Sequence, residues 1–215
     1  MAEFKIGEEN NYGTTNTSSF FSIKEDGEVK KVRFMYRNSD DIKGYAVHEV
    51  QVNGKRRYVN CLRNYNSPID DCPLCKSGSV QHVKLYIPIY DVEANKVCFW
   101  ERGKKFFSRM ASICSRFPDL IAHEFEIERH GAKGATDTSY EIFEVSHDNT
   151  KLEDLPEIPK VLGGIVLDKT ASEMNEYLRS GEFPYSATTS ANTNSQPSPI
   201  PQRRTPVNSN STEVF

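Results

Sequence analysis

The chain has 215 residues, of which 37% are hydrophobic and 27% charged, with a formal net charge of −3. This length suggests one ordinary domain with additional segments. No run of about 18 apolar residues occurs and residues 1–5 lack a signal-peptide pattern, so we expect an intracellular protein without a membrane segment.

The charges are segregated along the chain. Residues 1–29 carry a net charge of −4, residues 30–118 carry +9, and residues 119–215 carry −8. A basic middle between acidic flanks indicates a polyanionic partner for the middle, and a solvated charged surface is the alternative. The five cysteines include one closely spaced pair, which favours metal binding in a reducing compartment over a disulfide framework.

In chain order, a flexible arm over residues 1–19 precedes a strand within residues 28–37, where apolar and basic residues alternate. The dipeptide Asn53-Gly54 then predicts a β-hairpin with a type I′ turn. In the register of that turn His48 pairs with Val59, and Ala46 lies opposite Cys61. His48 and Cys61 therefore point to the same face of the hairpin as diagonal neighbours.

Four residues have the spacing of a metal site: His48, Cys61, Cys72 and Cys75. A structural zinc ion takes four nitrogen or sulfur ligands in a tetrahedron, and a Cys-x2-Cys turn supplies two of them. If this turn folds back under the hairpin, the site closes, and we predict one structural Zn²⁺. His82 is the alternative fourth ligand, and unligated thiols are the alternative to a metal. Cys98 and Cys114 fall on apolar positions and are predicted core residues.

The rest of the chain predicts more strands and two helices. Strands are expected over residues 83–90, 96–102, 124–129 and 139–145, and a helix over 104–117. The fold class is therefore mainly β. We expect an OB-fold-like five-stranded barrel with one inserted helix over residues 20–150, including a zinc subdomain at about 45–80. An acidic segment with a short helix spans 151–182, and a disordered tail spans 183–215.

A single nucleic-acid strand is held by cations that follow its phosphates and by aromatic rings that stack on its bases. The basic middle offers both on alternating strand positions. The predicted phosphate contacts are Arg33, Arg37, Arg56, Arg57, Lys84, Arg102, Lys104 and Lys105. The predicted stacking residues are Tyr58, Tyr86, Tyr90 and Trp100.

The ordered ligand set, followed by Lys96-Val97-x-x-Trp100 and then Gly103-Lys104-Lys105 at a helix start, resembles the single-stranded DNA-binding (helix-destabilising) proteins of T4-type phages over roughly residues 28–150. The resemblance implies an OB-fold core and a zinc subdomain held by one His and three Cys. It also implies that Trp100 lines the DNA groove and that the protein coats single-stranded DNA during phage replication, recombination and repair, in the host-cell cytoplasm.

The chain departs from that family at both ends. Residues 1–23 lack the family's basic cluster for cooperative self-association on DNA, and the last 32 residues contain one acid, Glu213. The loop between Cys61 and Cys72 is also about one residue longer than in the family. The terminal Phe215 resembles the tails of bacterial and T7-type single-stranded DNA-binding proteins, so we interpret it as a docking residue for replication or recombination partners.

Two other classes of protein compete with this interpretation. A zinc deaminase needs H-x-E and then P-C-x-x-C, but Glu49 follows His48 directly and Pro73 lies inside the Cys pair, so we expect no enzyme. A zinc-stabilised protein–protein adaptor of a replication complex, without direct DNA binding, is the alternative function.

Overall fold

A computed structural model describes residues 19–135 and 137–184 of the chain. The predicted arm therefore lies outside the described residues except for Ser19, and the predicted tail except for Phe183 and Pro184. The strands and α-helices are β1 (Ser19–Phe20), β2 (Val29–Phe34), β3 (Gly44–Val52), β4 (Lys55–Asn60), α1 (Pro73–Lys76), β5 (Gln81–Asp91), β6 (Lys96–Gly103), α2 (Phe107–Arg116), β7 (His123–His130), β8 (Ser139–His147), β9 (Val166–Leu167) and α3 (Ala171–Ser180).

The strands form one open, mixed sheet in the order β8-β7-β2-β5-β3-β4-β9, with β6 pairing with both β5 and β1. The long strand β5 organises this sheet. One edge of it pairs with β6, and the other edge pairs first with β3 and then with β2. The mainly β prediction is confirmed, but the five-stranded closed barrel is not.

Local predictions agree closely with the observed elements. The residues of the β3–β4 turn, Asn53 and Gly54, have φ of 51° and 70°, as a type I′ turn requires. The predicted helix over 104–117 begins as a 3-10 turn and continues as α2. Helix α3 starts at the capping box formed by Thr170 and Glu173.

Both faces of β5 are buried over residues 85–89. On one face Leu85, Ile87 and Ile89 join the main core beneath α2. On the other face Tyr86 packs with Ile165 and with the partly buried Ile158, both from the segment 151–170. The sequence predicted which side chains share a face, but it gave no sign that this segment covers the second face.

Candidate metal centre and basic cavity

The β3–β4 hairpin positions two of the four predicted ligands. His48 pairs with Val59 in the predicted register, and the Cys61 N–H donates to the Ala46 carbonyl at 2.9 Å. His48 lies in the middle of β3, and Cys61 lies just past the end of β4. The two-residue turn therefore fixes their shared face, as the sequence analysis predicted.

The other two ligands lie on a compact turn around α1. The Lys76 N–H donates to the Cys72 carbonyl, and the Gly78 N–H donates to the Cys75 carbonyl, both at 3.0 Å. Gly78 ends this turn with φ of 86°, a conformation that glycine adopts without steric cost. Backbone geometry therefore brings both thiols to one side of the turn.

The four ligand atoms all lie within 4.8 Å of one another. The His48 Nε2 is 3.4 Å from the Cys75 Sγ and 3.6 Å from the Cys72 Sγ, and the Cys61 and Cys75 sulfurs are 3.6 Å apart. Zinc–ligand bonds of about 2.3 Å to sulfur and about 2.0 Å to nitrogen give tetrahedral edges of about 3.8 Å and about 3.6 Å. The cluster therefore fits one metal ion of this size.

Neighbouring groups orient the ligands. The His48 Nδ1 lies 3.2 Å from the Val80 carbonyl oxygen, so a proton on Nδ1 leaves the Nε2 lone pair directed at the thiols. Burial lowers the pKa of His48, which favours the neutral imidazole that metal binding requires. The alternative ligand His82 is not part of the cluster, and its ring contacts Tyr58 instead.

The thiols differ in acidity although they share one cluster. Burial, together with the neighbouring Cys61, raises the pKa of Cys75 to about 12. Burial also acts to raise the pKa of Cys72, but hydrogen bonds from the N–H groups of Cys75, Leu62 and Leu74 outweigh it, so that pKa is lowered. A divalent cation would stabilise all three thiolates at once.

Four of the predicted nucleic-acid contacts line one cavity beside β4. Arg56 and Tyr58 lie on the hairpin face opposite to His48, whereas Arg57 alternates to the His48 face. The volume of the cavity is about 450 Å³, and its predicted members are Arg56, Arg57, Tyr58 and Lys84. The Lys84 Nζ lies 4.7 Å from the centre of the Tyr58 ring, and the Arg56 Nη2 donates to the Tyr58 hydroxyl at 2.6 Å. We call this the basic cavity.

Carboxylates partly neutralise the basic cavity. The Lys84 Nζ is 2.6 Å from a Glu101 carboxylate oxygen, and the Arg56 Nη2 is 2.7 Å from one of Glu49. Within the described residues, Arg57 forms no ion pair. An anion that enters the cavity therefore meets two cations that are already paired, whereas the Arg57 guanidinium has no carboxylate partner among the described residues.

Three of the predicted nucleic-acid contacts, Trp100, Tyr86 and Arg33, are buried in the structure. Trp100 is 1% exposed and Tyr86 is 2% exposed, because helix α2 and the segment 151–170 cover the two faces of the sheet. Arg33 is 8% exposed, and its guanidinium lies 2.6 Å from Asp148. A base or phosphate cannot reach these groups without displacing the elements that cover them.

Arg102 also has an interior partner. Its guanidinium lies 4.1 Å from the ring centres of both Trp100 and Tyr140. This sandwich is a cation–π arrangement that stabilises the packing of β6 against β8. Burial lowers the pKa of Arg102.

The remaining predicted contacts lie away from the basic cavity. Arg37 is exposed and forms an ion pair with Glu153. The Tyr90 hydroxyl donates to the Asn95 side chain at 2.6 Å. Lys104 and Lys105 are exposed on the turn before α2. Phe215 lies outside the described residues.

The sequence analysis missed Phe20, Glu101 and Ile165, which also line the basic cavity. Of these three, only Phe20 could have been suspected from the sequence. In an extended segment the side chains of Phe20 and Phe21 point to opposite faces, so one of the two rings points away from the core. Glu101 reaches the cavity from β6, which pairs with β5 in the next hairpin. Ile165 reaches it from a distant segment that no local pattern indicates.

No protein-family model and no curated protein matches this chain. Among the described residues the longest α-helices, α2 and α3, have ten residues each, and neither could cross a membrane.

Proposed function

We propose that this protein is a zinc-containing, non-catalytic single-stranded DNA-binding protein of the phage type. The observation that carries the proposal is the convergence of Arg56, Arg57, Tyr58 and Lys84 on the basic cavity. Cations beside aromatic rings in one groove are the two features that bind an unpaired strand. The sequence resemblance extends the proposal to coating of DNA in replication, recombination and repair in a host-cell cytoplasm.

The metal has a structural role in this proposal. His48, Cys61, Cys72 and Cys75 supply four ligand atoms at tetrahedral spacing, which leaves no coordination position for a substrate. The metal would hold β3 and β4 against the turn around α1. Since Arg56 and Tyr58 project from β4, the metal also fixes the wall of the basic cavity.

Binding is expected to depend on salt but to be moderate in strength. A phosphate that approaches Lys84 or Arg56 must compete with Glu101 or Glu49, whereas Arg57 is available without such competition. Each phosphate neutralised on a single strand contributes a slope of about −0.7 in log K against log salt concentration.

The test is fluorescence anisotropy of a labelled dT oligomer at about 50 mM and about 200 mM salt, the range over which phosphate contacts lose affinity. The label belongs on the oligomer, because Trp100 is buried and its emission need not respond to a strand in the cavity. We expect Arg57→Ala to flatten the salt slope by about 0.7. The control is Arg116→Ala, an exposed arginine on α2 outside the cavity.

The second candidate function, a zinc-stabilised adaptor, is favoured by the edge strand β8. Among the described residues this strand pairs only with β7, and its Phe143 and Val145 are 49% and 46% exposed. An open edge with apolar side chains is typical of strand-mediated protein contacts. One zinc ion per chain with no oligomer binding at either salt concentration would favour the adaptor and contradict the DNA-binding proposal.

A further inference from the structure

Phe20 is an exposed aromatic residue on the rim of the basic cavity. We infer that Phe20 is the platform on which an unpaired base stacks, so that the cavity selects unpaired strands over duplex DNA. This inference rests on the proposed function, and it identifies an unpaired base as the part of the ligand that the cavity recognises.

Strand β1 fixes the direction of the Phe20 ring. Phe20 pairs in parallel with Phe99, and the Phe21 N–H donates to the Phe99 carbonyl at 2.9 Å. The Phe21 ring packs into the main core, with its centre 6.0 Å from that of Trp100. Because successive side chains of a strand alternate between its faces, the Phe20 ring lies on the opposite face, beside the cavity.

Phe20 is more available for stacking than the other aromatic residue of the cavity. The Tyr58 ring is half-buried, and the Lys84 ammonium and the Arg56 guanidinium lie 4.7 Å and 5.4 Å from its centre. Phe20 is 52% exposed. Within the described part of the chain its ring has no aromatic or cationic partner, so a base can approach it without displacing any of the described side chains.

The nearby cations suit the phosphates on either side of a stacked base. Arg57 and Lys84 line the same cavity as Phe20, so one nucleotide can place its base on the ring and its phosphate beside a cation. In a duplex, the bases are already stacked and paired inside the helix. Only an unpaired base offers a free face to Phe20, and every base type has such a face.

The experiment compares four full-length variants by anisotropy with a labelled dT oligomer, a duplex of the same length, and an oligomer of abasic residues. Phe20→Ala removes the ring, Phe20→Leu keeps apolar volume without a π face, and Phe20→Trp enlarges the π face. The matched control is Phe143→Ala, which removes a ring of similar exposure on the edge strand β8.

We expect Phe20→Ala and Phe20→Leu to weaken dT binding by about 5- to 150-fold, the range that stacking of one base supplies. Binding of the abasic oligomer and the duplex should be unchanged by both, and Phe20→Trp and Phe143→Ala should bind dT like the unmodified protein. Unchanged dT affinity in Phe20→Ala overturns the inference but leaves the proposed function intact. Equal losses for dT and the abasic oligomer also overturn it, since the ring would then act on phosphates or on folding. If the unmodified protein binds no oligomer, the proposed function itself fails.

Discussion

The two faces of the β3–β4 hairpin present opposite kinds of site. One face contributes His48 to a compact cluster of four ligand atoms. The other contributes Arg56 and Tyr58 to an open cavity whose cations are partly paired with carboxylates. A closed site built from short local segments is specified by few interactions, whereas an open site depends on distant segments that converge on it.

The largest expected effect tests whether the two faces are coupled through the hairpin. Cys72→Ser should release the metal and lower the free energy of unfolding by on the order of 5 kcal/mol, because metal binding in such sites is linked to folding. Affinity for a dT oligomer should fall with it, since Arg56 and Tyr58 project from the same hairpin. Metal analysis, thermal unfolding and anisotropy measure the three quantities.

Cys114→Ser is the control for this prediction, because Cys114 is a buried cysteine of α2 outside the cluster. It should retain one metal ion per chain. Full metal content in Cys72→Ser would show that the ligand set is wrong.

A second effect separates a buried cation, Arg33, from a more exposed cation on the same strand, Lys31. Arg33→Met should lower the free energy of unfolding by about 2–4 kcal/mol, because it leaves Asp148, Glu124 and two backbone carbonyls without their cation. Oligomer affinity measured below the melting temperature should not change. The control Lys31→Met, on the same strand with a 3.9 Å ion pair to Glu126, should cost at most about 1 kcal/mol. A loss of oligomer affinity without a loss of stability in Arg33→Met would show that Arg33 contacts the oligomer directly.

A smaller effect concerns acid stability. Hydrogen bonds from Thr150, with the Arg33 guanidinium, hold the pKa of Asp148 at about 2, below the unfolded value of about 3.9. A depressed folded pKa gives stability that is present above pH of about 4 and is lost as the pH falls towards 2. The carboxylate is 45% exposed, so solvent screening should keep this contribution below about 1 kcal/mol.

Denaturant unfolding between about pH 2 and pH 6 measures this contribution, since the interval brackets both values. Asp148→Asn should remove this part of the pH dependence. Asp119→Asn, an exposed change of equal charge, should leave it in place. Identical profiles for the two variants would exclude a role for the Arg33–Asp148 pair.

The smallest expected effect concerns the competition between a phosphate and the carboxylates of the basic cavity. Glu101→Gln removes the carboxylate that lies 2.6 Å from the Lys84 ammonium, so a phosphate no longer competes for that cation. We expect dT affinity to rise by about two- to fivefold at low salt, in line with the energy of a solvent-accessible ion pair. Glu93→Gln makes the same change of net charge in the exposed β5–β6 turn and should have less effect. Equal gains in both variants would indicate a general charge effect instead of a site.

The metal cluster was predictable because its geometry follows from local rules. The Asn53-Gly54 turn sets the register that aligns His48 with Cys61, and the Cys-x2-Cys turn supplies the other two ligands. All four residues lie within 28 positions of the chain, so little long-range information was needed.

The exposure of the candidate nucleic-acid contacts could be predicted only in part, because strand alternation identifies a face of the sheet but not the segment that covers it. Trp100 and Tyr86 were assigned to a surface, yet α2 and the segment 151–170 bury them on opposite faces of the sheet. Arg33 was counted as a free cation, but Asp148 lies 115 residues further along the chain. Such neighbours have no signature in the local sequence.

The alternation of the strands, the hairpin register and the candidate ligand set follow from the sequence alone, because they depend on backbone conformation and on spacing over a few residues. Which basic and aromatic side chains remain accessible depends on the tertiary structure. Burial and charge pairing arise where segments distant in sequence pack together, and Phe20, Glu101 and Ile165 meet Lys84 only through that packing.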